Sequence, residues 1–273
     1  MKYLNLGCGQ HFSQEKVWTN LDFVSTGEGV IAHNLLAGIP FPDHTFNLVY
    51  HSHVLEHFTK LDGLKFLKEC YRVLKKDGII RIAIPDLERI AKTYLQTLEI
   101  GVEDEENQKI RANYDWIMLE MYDQTVRNHG GGEMAKFLFQ ETIINEEFVF
   151  ERIGEEGKAI RQYFLESPKN TTPRKRTLKS LFYSALRRIN PFKKSRQAVI
   201  ESQIGKFRLQ GEVHQWMYDR YSLNYILKSI GFDKIIIRDA SNSYCTEWDT
   251  YNLDQKNGQT RKPDSLFIEA IKN

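Results

Sequence analysis

The chain has 273 residues, of which 41% are hydrophobic and 27% charged, with a formal net charge of +2. This balance excludes a disordered chain and fits one large globular domain, or a core domain with an insertion. The three scattered cysteines, Cys8, Cys70 and Cys245, form no disulfide framework and no zinc spacing. That pattern fits a reducing compartment. No apolar run reaches the ~20 residues of a membrane span and no secretory leader is legible, so a cytoplasmic location is expected.

Lys2 to Leu6 reads as a short buried strand that stops at Gly7. Val17 to Asp22, "VWTNLD", reads as a second strand ending on a carboxylate. Gly29 to His33 is a weak third strand, and Phe46 to His51, "FNLVYH", is a strong fourth. Leu61 to Lys76 has helical spacing at Leu64, Leu67, Cys70, Tyr71 and Leu74, with "KKDG" as its predicted end. Ile79 to Ile84 is a fifth strand, and Asp86 is placed to cap a helix from Leu87 to Leu98. A helix in "YSLNYILKSIGF" and strands in "DKIIIRDA" and "DSLFIEAIK" close the chain. Strands alternating with helices predict a mostly parallel sheet with crossover connections. Residues 1–98 and 209–273 are read as its core, and 99–208 as a mainly helical insertion after strand five.

"LNLGCG" at Leu4 to Gly9 sets a glycine turn at the end of strand one, and Asp22 ends the neighbouring strand. Glycines let a backbone approach a ligand, and a carboxylate there can accept both hydrogen bonds of a ribose diol. The dinucleotide pattern G-x-G-x-x-G fails, because its third position is Phe12. No Gly-Lys-Ser/Thr of a P-loop is present. A ligand with ribose and adenine but no phosphate asks less of such a turn.

Four segments, "LNLGCG", "NLD" at Asn20 to Asp22, "IPFPDHTFNLVYHSHVLEHF" at Ile39 to Phe58, and "ECYRVLKKDGIIRIAIPDL" at Glu69 to Leu87, occur in an order and spacing that resemble the class I S-adenosylmethionine-dependent methyltransferases. The resemblance covers about the first ninety residues and the closing strands. The C-terminal part is similar to a bacterial subgroup associated with surface-polysaccharide synthesis. The family implies an α/β Rossmann-like sheet, mostly parallel with its last strand antiparallel. It also implies S-adenosyl-L-methionine as cofactor and S-adenosylhomocysteine as product. The implied cofactor site comprises Asn5, Gly7, Cys8, Gly9, Asp22, Phe23, Asn34, Leu35, Ser52 and His53. Asn5 stands where the family usually has an acid, and Asn34 where it often has Asp. The short stretch from Gly9 to strand two leaves the usual first helix stunted.

Ligands of such sheets sit beyond the carboxyl ends of the strands, so "HSHVLEHF" should lie beside the cofactor. Methyl transfer needs an aligned acceptor and a group to take its proton. His57 is the preferred base, His53 the second choice, and Glu56 is placed to orient either. The alternative is that Glu56 and His57 only cap or pack the loop. No Asn/Asp-Pro-Pro-Tyr/Phe, Pro-Cys or magnesium-type acidic cluster is present. A hydroxyl or amine on a small molecule or sugar remains as acceptor, and no metal is expected.

"RNHGGGEM" is a candidate lid with hinge freedom, in which Arg127 and His129 could hold a polar acceptor. His214, Trp216, Tyr218 and Arg220 would suit a sugar, or else form core at a domain junction. Trp248, Tyr251, Arg261 and Lys262 pose the same choice. From Lys169 to Arg208 the chain carries about a dozen lysines and arginines against one acid, Glu201. An apolar stripe within 176–189 fits peripheral contact with anionic lipid, or an ordinary covering helix. Two rival functions are an RNA methyltransferase using 169–208 as a phosphate track, and a non-catalytic binding or scaffold module. The first is disfavoured because basic residues elsewhere are balanced by acids.

Overall fold

Short apolar runs build the sheet from its middle. Tyr3–Leu6 (β1) pairs in parallel with Trp18–Asp22 (β2) on one side and Phe46–Ser52 (β4) on the other. Val30–Ala32 (β3) extends the β2 edge, and Leu74–Pro85 (β5) pairs in parallel with β4. Ser265–Lys272, the last strand in the chain (β9), runs antiparallel to β5 and to Phe232–Arg238 (β6). The seven-stranded order is β3-β2-β1-β4-β5-β9-β6. This is the expected Rossmann-like class I sheet. These elements belong to a computed structural model describing residues 1–166 and 196–273. The basic, apolar stripe at 176–189 lies outside the described residues.

One face of the sheet is covered by Lys60–Val73 (α1) and, near the C-terminus, Arg220–Ile230. Phe66, Leu67, Cys70, Leu223 and Leu227 pack there against Leu4, Leu6, Ile80 and Ile82. The opposite face is covered by aromatic side chains rather than a long helix. Tyr3, Trp18 and Tyr50 meet Trp248 and Tyr251 edge to face, with ring centroids 5.0–6.4 Å apart. Trp248 and Tyr251 are therefore core. Arg81 is fully buried beneath them, with Nε 2.7 Å from Asp254 and Nη1 3.0 Å from Glu269. Its guanidinium lies 4.4 Å from the centre of the Trp248 ring.

Three local expectations change. The first crossover helix is absent, not merely shortened: Asn5 Nδ2 donates to the His11 carbonyl and to Asn20 Oδ1, and Asn20 Nδ2 donates to the Ser13 carbonyl. The two amides take carbonyls that a helix would use. Helix α1 ends at Val73 rather than Lys76, because buried Leu74 pairs with Phe46 and draws "LKKDG" into the sheet. The excess residues form a bulge with Asp77 at φ 59°. The helix from Leu87 runs to Glu103 (α2), past the predicted end at Leu98. A small hairpin, Gln255–Lys256 (β7) and Gln259–Thr260 (β8), was not foreseen. Asn257 and Gly258 form its turn at φ 52° and 74°.

Gln108–Val126 (α3), Gly132–Leu138 (α4) and Glu146–Glu166 (α5) make a second small core around Trp116, Leu138 and Val149. Buried Arg152 and Glu120 pair at 2.6 Å within it. Helix α5 breaks at Gly154 (φ 61°), where a Cβ would lie 2.5 Å from the Arg261 carbonyl. That contact docks the insertion on the segment before β9. Arg196–Arg208 (α6) follows, and Arg208 donates to the carbonyls of Thr125, Val126 and Arg127 at the end of α3. The Arg220–Ile230 helix, α7, is opened by an Asp219–Ser222 capping box.

Candidate active site

At the carboxyl end of β1 the chain turns through Gly7 (φ 64°) and Gly9 (φ 53°). Gly9 N donates to Asp22 Oδ2 at 2.7 Å, and Thr26 Oγ1 donates to the Gly9 carbonyl. The peptide is thus clamped from both sides. A Cβ on Gly9 would meet no atom within 4 Å, so its outer face is open. A Cβ on Gly7 would lie 2.3 Å from Val54 Cγ2, so the first glycine serves close packing. Phe23, next to Asp22 in the chain, is 67% exposed, and Leu36, in the turn that follows β3, is 64% exposed. Asn34 caps the short turn of Leu35–Ala37 by accepting from Leu36 N, while Leu35 packs on the core. Cys8 is buried, and burial pushes its thiol up to about 11. Asn5 is 1% exposed and supports the loop from within.

Strand β4 carries Ser52 at its end and delivers His53 in a left-handed conformation (φ 54°), with His53 N bonded to the Ala83 carbonyl. His53 Nε2 lies 2.8 Å from Ser265 Oγ, and its Nδ1 lies 3.2 Å from Glu56 Oε1. Glu56 is 1% exposed. Its carbonyl accepts from Gln215 N and Trp216 N, which holds the 213–218 segment against this loop. His214 N donates to the Gln124 carbonyl, and the rings of His57 and His214 meet edge to face at 4.8 Å. Burial opposes ionisation of Glu56, yet His53, His214 and His57 hold its carboxyl well below the usual range. Burial lowers His214 to about 3 and His51 to about 4, and lowers His57 as well. Glu56 partly offsets each shift.

A cavity of about 220 Å³ opens beside His53. Met134, Leu138, Ile153 and Ile160 give it apolar walls, and Glu156, Lys262 and Asp264 supply charge. Glu156 and Lys262 pair at 2.9 Å. The cavity therefore lies between the insertion and the carboxyl ends of the strands.

Of the three candidate catalytic residues, His53 alone lines this cavity; His57 is turned onto His214 instead. Arg127 also lines it, already paired with Asp123 at 2.7 Å and Glu212 at 3.2 Å. His129 stands on the surface at 3.9 Å from Glu133. Tyr218 is 1% exposed in the main core, and Arg220 pairs with Glu88 outside. Trp216 is 42% exposed beneath the Lys60 ammonium. Packing withdraws Tyr218 from a sugar platform, and Arg220 stands in an exposed ion pair outside the cavity lining. The glycines of "NHGGGEM" are clamped rather than free. The Asp123 carboxylate accepts from Glu133 N and would be 2.3 Å from a Cβ on Gly132, and Glu212 accepts from Gly131 N. Sequence reasoning missed Ser265, Gln124, Glu156 and Asp264. Nothing local marks them, since each comes to the site through tertiary packing.

The sequence comparisons bear on the strands that carry this site. Residues 11–82 match a methyltransferase domain. The matched region includes Asp22 and the His53–His57 loop. The provisionally named methyltransferase YrhH of Bacillus subtilis (strain 168) is 39% identical over 74 residues, 27% of this chain and 40% of that protein. A "Probable S-adenosylmethionine-dependent methyltransferase" of Mycolicibacterium smegmatis (strain ATCC 700084 / mc(2)155) is 36% identical over 56 residues, 20% of this chain and 21% of that one. The chain thus spans less than half the length of these curated relatives. A solved SAM-dependent methyltransferase from Archaeoglobus fulgidus aligns over 99% of this chain and 86% of its own. Its identity is 15% and its TM-score 0.39, too loose a likeness to carry an argument.

Proposed function

We propose that the protein is an S-adenosylmethionine-dependent methyltransferase acting on a hydroxyl or amine of a small molecule. The observation that carries this reading is the Gly9 peptide, clamped to Asp22 with its outer face open, at the same end of the sheet as His53 and the cavity. The methyltransferase-domain match over 11–82 and the relatives' names support it. The residues fit the cofactor: Asp22 offers Oδ1 to a ribose hydroxyl, Phe23 and Leu36 offer apolar surface to adenine, and Gly9 admits close approach. When bound, S-adenosylmethionine supplies an electrophilic methyl carbon.

His53 is the residue placed to take the acceptor proton. Its ring reaches the cavity; the Glu56 carboxylate accepts from Nδ1–H, which leaves Nε2, 2.8 Å from Ser265 Oγ, as the basic nitrogen once that hydroxyl turns aside for the acceptor. Helices α3, α4 and α5, which wall the cavity, would cover the acceptor. A cavity of about 220 Å³ lies below the ~300–1,000 Å³ of common ligand pockets, so it suits a small acceptor or the reacting end of a larger one. A sugar hydroxyl, as in polysaccharide synthesis, is the narrower form of this reading. Incubation with methyl-labelled S-adenosylmethionine and panels of sugars and amines tests it. Transfer to an acceptor, lowered at least ~100-fold in His53→Ala with cofactor binding kept, is the expected result. Full turnover in His53→Ala would remove that residue, and cofactor binding without transfer to any acceptor would favour a scaffold role.

A further inference from the structure

We propose that Glu56, His57 and His214 form a binding site for one divalent transition-metal ion of the Zn²⁺ type. The donor atoms of the three side chains all lie within 4.8 Å of one another. Two independent features make this more than a cluster. Glu56 and His214 are 1% and 5% exposed; Glu56 Oε1 faces His53 Nδ1, but Glu56 Oε2 and the Nδ1 atoms of His57 and His214 have no hydrogen-bond partner among the described residues. Buried polar atoms are ordinarily paired, so three orphans gathered in one place call for an occupant. The backbone also builds the arrangement. Gln215 N and Trp216 N both donate to the Glu56 carbonyl, which fixes His214 opposite Glu56 although the two are far apart in sequence.

The donor chemistry selects the ion. Two imidazole nitrogens and one carboxylate suit Zn²⁺, Fe²⁺, Co²⁺ or Ni²⁺, whereas Mg²⁺ and Ca²⁺ take oxygen-rich sets. Tetrahedral bonds of ~2.0–2.1 Å place neighbouring donors ~3.4 Å apart. The widest pair must therefore close by about 1.4 Å, within reach of a ring rotation about Cβ–Cγ. Three protein ligands leave a fourth position open. Gln124, whose carbonyl holds His214 N, lines the cavity beside His53. If the methyl-transfer reading also holds, an ion here would sit behind His53, sharing the Glu56 carboxylate with it, rather than in the cavity itself. Metal binding itself does not rest on that reading.

The test uses the full chain without S-adenosylmethionine. Chelator-treated protein is titrated with Co²⁺, its visible d–d absorption is recorded, and Zn²⁺ is then added. The expected result is a band saturating at one Co²⁺ per chain and erased by Zn²⁺. Glu56→Gln and His214→Asn should each weaken Co²⁺ at least ~10-fold, while His129→Ala, at an exposed histidine, should leave the titration unchanged. Absence of a saturable band in the wild type would overturn the proposal, as would unchanged affinity in both ligand variants. The wild-type titration decides alone if the variants fail to fold. Binding of S-adenosylhomocysteine is measured separately, so protein that binds it without Co²⁺ refutes the metal site only.

Discussion

Gly7 and Gly9 share the left-handed conformation but meet different surroundings, and alanine at each should separate packing from binding. Both substitutions carry the left-handed penalty of about 1–2 kcal/mol. At Gly7 the new methyl would also lie 2.3 Å from Val54 Cγ2, and overpacking of that kind adds about 1–3 kcal/mol. Gly7→Ala is therefore expected to cost about 2–5 kcal/mol, and Gly9→Ala only about 1–2. Urea unfolding followed by tryptophan fluorescence reads both values. Gly9→Ala should remain folded yet lose at least ~10-fold in affinity for S-adenosylhomocysteine, because its methyl fills the open face where a ligand backbone contact is placed. Equal stability of the two variants would refute the packing argument. Unaltered ligand affinity in Gly9→Ala would refute the assignment of that face.

Arg81→Met would leave Asp254 buried without its cation and Glu269 with Arg238 alone; breaking such a group costs about 3–5 kcal/mol, and an unchanged urea midpoint would contradict this. Burial holds His51 at about 4, below its ordinary 6.5. Between those values the unfolded chain binds more protons, so stability falls as pH drops from 6.5 to 4. The full shift corresponds to about 3 kcal/mol. His51→Leu should flatten this fall relative to wild type in urea titrations at pH 7 and 4.5, and parallel slopes in the two proteins would disprove it.

The sheet was legible because its strands carry their own signals: β-branched and apolar runs ending at Gly7, Asp22 and Pro85, with a glycine closing the helix at Gly231. The cofactor-side candidates were legible for the same reason, since Gly7, Gly9 and Asp22 sit at strand ends. Local pattern failed where distant partners decide. "KKDG" reads as a helix end, but Leu74 pairs with Phe46 and pulls the segment into β5. The glycines after Arg127 read as a hinge, yet Asp123 and Glu212 clamp them. Tyr218 reads as a sugar platform and is core. His57 and His214 meet only because the 213–218 backbone bonds to the Glu56 carbonyl, a contact no spacing rule encodes.

The most direct test of the central claim is calorimetric titration with S-adenosylhomocysteine of the wild type and of Asp22→Asn. The carboxamide oxygen of this variant can still accept from Gly9 N, so the turn should persist, while the longer 3.4 Å bond from Val24 N to Oδ1 is lost. Its amide nitrogen replaces the oxygen offered to the ribose diol. Saturable one-to-one binding by the wild type, weakened at least ~10-fold in the variant, is the predicted result. No heat of binding in the wild type, or equal affinity in the two proteins, would contradict the account.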